Sequence, residues 1–111
     1  MNEIAHIRND YRKMSLAAAD LLPDPIRQFN LWLQQAIDSG EHEPTAMCLS
    51  TVTIDYKPDA RIVLLKEVTN SGFVFFTNYE SRKGIQLDHN PWASLTFFWP
   101  AMERQVRITG K

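Results

Sequence analysis

Cationic side chains stand at the margins of apolar segments in this sequence. Arg61 and Lys66 bracket the run Ile62, Val63, Leu64 and Leu65, while Arg82 and Lys83 follow Ser81 at the start of a short helical pattern. A helix N-terminus offers N–H donors and partial positive charge, to which an adjacent Arg and Lys add a bidentate fork and a point charge. Together these suit a phosphate, with Ser81 as helix cap or further ligand. The same residues also fit a plainer role, as solvated surface cations or as charges snorkelling from the ends of a buried strand. Gln105, near the start of a later strand, can direct an amide donor and acceptor toward the edge of a heteroaromatic ring, a surface glutamine being the alternative. Phe75, Phe76, Thr77 and Asn78 place aromatic surface beside a hydroxyl and an amide, an arrangement suited to ring stacking or to core packing.

Other chemistries find little support. His6, His42 and His89 have no paired spacing and Cys48 has no second cysteine, so no metal site is expected. Gly40, Gly72, Gly84 and Gly110 form neither a dinucleotide fingerprint nor a Walker loop, and neither Ser50 nor Ser94 sits in a nucleophile elbow. Twelve basic against thirteen acidic residues leave a net charge of −1, so no global field draws the chain to nucleic acid or to an anionic membrane. Strand aromatics beside Arg and Lys would otherwise invite an oligonucleotide-binding barrel, but its basic footprint is missing. The lone cysteine excludes an intramolecular disulfide. With no signal-like leader and no apolar run long enough for a bilayer, a cytoplasmic protein is expected.

The elements that must position these residues follow from local pattern. At 111 residues, 44% hydrophobic and 23% charged, the chain has the composition of one globular domain. Residues 1–23 read as a polar arm with some helix, and residues 24–111 as the domain. Asp24 and Pro25 supply a cap and a first-turn proline for a helix whose apolar stripe is Ile26, Phe29, Leu33, Ala36 and Ile37, ending at Ser39 and Gly40. Residues 41–44 read as a linker. Beyond them, β-branched and aromatic segments at 45–53, 60–68, 73–78, 92–99 and 104–109 alternate with turn residues, as in an antiparallel sheet or barrel. The run from Ile62 to Leu65 lacks alternation, which predicts a strand covered on both faces. A short helix is expected over 81–89, closed by Asn90 and Pro91. The last strand meets Gly110 and Lys111 with no closing element, so exposed edges imply a dimer or a longer parent chain.

Taken together, Arg61-Ile-Val-Leu-Leu-Lys66, Phe75-Phe-Thr-Asn78, Ser81-Arg-Lys83 and Glu103-Arg-Gln-Val106, in this order and spacing, resemble the N-terminal half of the pyridoxamine 5′-phosphate oxidase family. Ile4 to Arg8, Tyr11, the Asp24-Pro25 helix with Phe29 and Trp32, and Glu43 before Pro44 are similar too. The resemblance implies a mainly β fold with α elements, an FMN-binding split β-barrel of antiparallel strands preceded by an arm and a helix. It implies a homodimer with FMN at the subunit interface, oxidising pyridoxamine or pyridoxine 5′-phosphate to pyridoxal 5′-phosphate with dioxygen as acceptor. No protein nucleophile is then needed. Carried over by position, Arg61, Ile62, Val63, Leu64, Leu65 and Lys66 line the flavin, Arg82 and Lys83 bind its phosphate, and Gln105 reaches it from the barrel. Phe76 and Thr77 fall where the family has Tyr-Thr, so a hydroxyl is absent at Phe76. Lys66 also faces the substrate phosphate, and Arg8 with Tyr11 belongs to a lid over the substrate. Family chains continue well past the equivalent of Lys111, which makes this chain the FMN-binding half. The alternative is a split-barrel protein that holds flavin or pyridoxal phosphate without catalysis, for which a substrate lid has less use.

Overall fold

The computed structural model describes residues 21–76 and 82–111, with Ile4 alone from the first twenty positions and only the backbone of Arg82. Most of the polar arm, including Arg8 and Tyr11, therefore lies outside the described residues, as do Thr77, Asn78 and Ser81.

Helix α1 spans Pro25–Asp38, with the Asp24 carboxylate accepting the Ile26 N–H at 3.0 Å as an N-cap. Its end is a Schellman motif: Gly40, at φ +80°, donates to Ile37 O, and Glu41 donates to Ala36 O. A glycine belongs there because the left-handed backbone is strained for any residue with a Cβ. The buried stripe differs from the expected one. Phe29 and Ala36 face the core, but Ile37 is exposed and Gln28 is buried, its Oε1 accepting the Leu22 N–H.

Six strands follow: β1 (Ala46–Val52), β2 (Pro58–Leu64), β3 (Glu67–Thr69), β4 (Gly72–Val74), β5 (Ala93–Trp99) and β6 (Arg104–Gly110), with helix α2 (Arg82–His89) between β4 and β5. All pairings are antiparallel, giving one sheet in the order β2-β1-β5-β6 and a separate β3-β4 hairpin. This is the strand set of a split barrel, mainly β with two helices and left open among the described residues.

Alternation sorts the larger sheet into two faces. Met47, Leu49, Leu95, Phe97 and Trp99 turn inward onto α1, where Phe29 meets Phe73 edge-on at 4.9 Å and lies 5.0 Å from Phe97. Trp99 also donates its indole N–H to Pro44 O at 2.9 Å. The linker expected at 41–44 is thus a structural strap, since the Glu41 carboxylate is buried against the β5–β6 turn and accepts the N–H groups of Ala101 and Met102 at 3.1 Å each.

Three expectations require correction. The strand expected to be covered on both faces is the edge strand β2, and it alternates: Ile62 is 67% exposed and Leu64 44%, while Val63 packs against the core. A continuous apolar run carries no period, so tertiary placement alone decides which side is covered. The segment expected to run unbroken to Val68 instead switches sheets. Leu65 donates its N–H to Thr45 O beside β1, and the next residue, Lys66, donates to Val74 O on β4. Of the strand expected over 73–78, the described residues hold Gly72–Val74 in the ladder, with Phe75 and Phe76 beyond it.

Candidate functional site

The buried polar residues of the sheet gather where β1, β2 and α2 meet. Register pairs Leu49 with Arg61 and Thr51 with Asp59, so Thr51, Asp59 and Arg61 share the inner face of the sheet. Gln86 of α2 completes the group. One terminal nitrogen of Arg61 donates to Thr51 Oγ1 at 2.9 Å and to Leu49 O at 3.3 Å; the other donates to Gln86 Oε1 at 3.1 Å and pairs with the Asp59 carboxylate at 3.1 Å. Gln86 Oε1 also accepts the Thr51 hydroxyl, while its Nε2 donates to Asp59 at 2.9 Å. Gln86 is 4% exposed and Thr51 2%, so little water competes for these bonds. The network satisfies a charge at the sheet edge and ties α2 to β2. Arg61 therefore does not snorkel to water as an ordinary strand-end cation would.

Around this anchor the other expected residues separate by face. Ile62 and Leu64 point to the outer face of the sheet, where Gln105 is also exposed, paired in register with Phe98. Phe98 is itself exposed, so the outer face is an apolar surface with an amide on it. It contains an open cleft of about 400 Å³ lined by residues that include His42, Cys48, Ile62, Thr96 and Phe98. Val63 and Leu65 turn the other way, into or against the core, so any contact they make with a ligand is through the backbone. Lys66 is exposed at the switch between sheets, and Phe76 is exposed two residues beyond β4. Lys83 stands half-buried in the first turn of α2, one turn before Gln86, with Arg82 preceding it. The β2 edge thus carries an apolar strip on one side and a fixed guanidinium on the other, with a helix start attached to it.

Thr51, Asp59 and Gln86 were not among the residues singled out by spacing. A glutamine one turn into a helix that begins Arg-Lys is the only local signal, and it is indistinguishable from a solvated polar face.

The outer surface can receive a flat aromatic ring and hydrogen-bond its edge. The cations at Arg61, Lys66, Arg82 and Lys83 suit an anionic tail. The family model described as pyridoxamine 5′-phosphate oxidase matches residues 33–111. The pyridoxine/pyridoxamine 5′-phosphate oxidase of a Cyanothece species is 54% identical over 107 residues, covering 96% of this chain and 50% of its own. PhzG from Burkholderia lata 383, solved in complex with tetrahydrophenazine-1-carboxylic acid, superposes with a TM-score of 0.85 at 28% identity over 92% of this chain and 51% of that one. A pyridoxamine 5′-phosphate oxidase-related, FMN-binding protein from Nostoc punctiforme shares the fold, with a TM-score of 0.68 at 22% identity, over 78% of this chain and 46% of that one. The chain spans about half the length of the curated relatives it matches. With more than half of its residues under the family model, the chain belongs to the pyridoxamine 5′-phosphate oxidase family.

Proposed function

We propose that the protein carrying this chain is a cytoplasmic, homodimeric FMN enzyme of vitamin B6 metabolism that oxidises pyridoxamine or pyridoxine 5′-phosphate to pyridoxal 5′-phosphate, with dioxygen as acceptor. The observation that carries this reading is the β2 edge, where exposed Ile62 and Leu64 lie back to back with an Arg61 guanidinium already fixed by four acceptors. FMN fits the residues present: a flat ring needs apolar surface and an edge partner, which Ile62, Leu64 and Gln105 offer, and a phosphate needs cations, which Arg82, Lys83 and Arg61 offer.

Bound flavin would accept the electron pair removed from the substrate carbon and pass it to dioxygen. The protein's part is binding and electrostatics. Lys66, exposed and without an ion pair among the described residues, is suited to the substrate phosphate, and its charge with that of Arg61 lowers the energy of added negative charge nearby. Arg8 and Tyr11, outside the described residues, are assigned to closing the site over the substrate. Thr77, also outside them, and Phe76 complete the flavin surroundings, with Phe76 contributing ring surface or backbone in place of a hydroxyl.

The test is anaerobic and aerobic assay of the full-length protein with bound FMN. Pyridoxal phosphate formation with matching oxygen consumption is expected. A protein saturated with FMN that forms no pyridoxal phosphate under air would reduce the assignment to a flavin-binding barrel.

A further inference from the structure

We propose that Gln86 is a positioning residue for phosphate recognition: it holds Arg61 and the start of α2 in one rigid arrangement, so that the cations of both elements address a single phosphate. The inference rests on the FMN reading above and assigns a role to a residue outside the expected ligand set.

The geometry points to Gln86 because its amide is used at both ends. Oε1 accepts from Thr51 and Arg61, and Nε2 donates to Asp59, so the side chain bridges α2 to both β1 and β2. Rotating the amide would set its NH2 against two donors and its oxygen against a carboxylate, so the orientation is determined by its partners. Gln86 stands four positions after Arg82 and three after Lys83, one helical turn further along α2. With Gln86 anchored, α2 cannot slide along the sheet without breaking buried hydrogen bonds, and the register between Arg61 and the Arg82-Lys83 turn is held.

Charge explains why the anchor is neutral. Asp59 already sets one negative charge beside the Arg61 guanidinium at 3.1 Å, so a second carboxylate in the network would outweigh that single cation and repel an incoming dianion. A carboxylate in place of the amide would lose the donor to Asp59 and give the network a net negative charge.

The test compares FMN with riboflavin, which has the same ring and ribityl chain but no phosphate, on the full-length protein. Flavin fluorescence titrations of the wild type, Gln86→Met and Gln86→Glu are run beside thermal melts. The expected result is roughly tenfold weaker FMN binding in both variants, the size of losing a hydrogen bond that orients a charged group, with riboflavin affinity within about twofold of wild type. A purely structural role would weaken both ligands alike, and that outcome, or an unchanged FMN-to-riboflavin ratio, overturns the inference. Should neither Gln86 variant fold, Thr51→Val decides, because it removes one donor to the same amide oxygen: a smaller fall in the same ratio supports the role and no fall rejects it. A wild-type protein that binds FMN no better than riboflavin would reject both the phosphate site and the role of Gln86. A preserved wild-type preference with unaltered variants rejects the role alone.

Discussion

The carboxylate of Glu41 accepts the backbone N–H of Met102, a residue 61 positions further along the chain, at 3.1 Å, and that of Ala101 beside it at the same distance. One side chain at the end of α1 thereby closes the turn between β5 and β6. Glu41→Ala leaves two backbone donors without their acceptor at a buried site, and the expected loss is about 2–4 kcal/mol from two charge-assisted bonds. Glu41→Gln, which keeps one acceptor oxygen, should lose about half as much. Urea denaturation midpoints of the two variants check the order, and an Ala variant as stable as wild type would remove the strap from the account.

Phe29 touches Phe73, Phe97 and Trp99 with ring centroids 4.9, 5.0 and 5.8 Å away. Phe29→Leu keeps the site apolar but forfeits the ring contacts, for an expected cost of about 2 kcal/mol. The same denaturation experiment measures it, and the loss should appear without a change in slope.

Tyr56, at the tip of the β1–β2 hairpin, has φ +64° and is exposed, so its side chain returns little for a strained backbone. Tyr56→Gly should raise stability by about 0.5–1 kcal/mol, the relief of the left-handed strain less the extra entropy that glycine loses on folding. A lowered melting temperature would contradict this.

In the same hairpin, Asp55 is held below the ordinary aspartate range, first by the Thr53 hydroxyl and then by Lys57, which lies 3.3 Å from its carboxylate. A carboxylate whose folded pKa is lowered stabilises the fold above its unfolded pKa, and that contribution is lost as pH falls through the folded value. The group is solvent-exposed, so the effect is small. Carboxyl NMR titration should find Asp55 titrating below the ordinary aspartate value, and Asp55→Asn should narrow the stability difference between neutral and acid pH.

Gln105 is exposed opposite Phe98 on the outer face, and its side chain makes no hydrogen bond among the described residues. Gln105→Leu in the full-length protein should leave the melting temperature of the flavin-free form unchanged and weaken flavin binding by roughly fivefold to tenfold, the loss of one hydrogen bond to the ring. Unchanged flavin affinity would return Gln105 to the status of a surface residue.

Much of this architecture is legible in the residue order because its causes are local. The Asp24-Pro25 start, the Gly40 stop and the alternation of Met47, Leu49 and Thr51 depend on neighbours within a turn or a pleat. The break after Leu64 does not, since Leu65 and Lys66 find partners on different strands. Nor does the polar network, whose bonds join residues 10, 25, 27 and 35 positions apart. Arg61 and Lys66 stand out by type and spacing, but the buried glutamine that orients one of them is visible only once α2 is laid on the sheet. The covered faces of β2 could not be assigned from its apolar run, because burial of one side against the core and exposure of the other produce no local mark in Ile-Val-Leu-Leu.

The switch at Leu65 and Lys66 has a mechanical consequence. One peptide unit is moored to the large sheet and the next to the small hairpin, so the two sheets share a corner, as strands do when they pass between packed layers. Lys66 stands on that corner, and the root of its side chain is surveyed from both sheets at once. A tilt of β3–β4 would carry the ammonium group with it, while the Arg61 guanidinium stayed moored to β1 and α2. The separation between the two cations is therefore a gauge of how the halves of the barrel are set against each other.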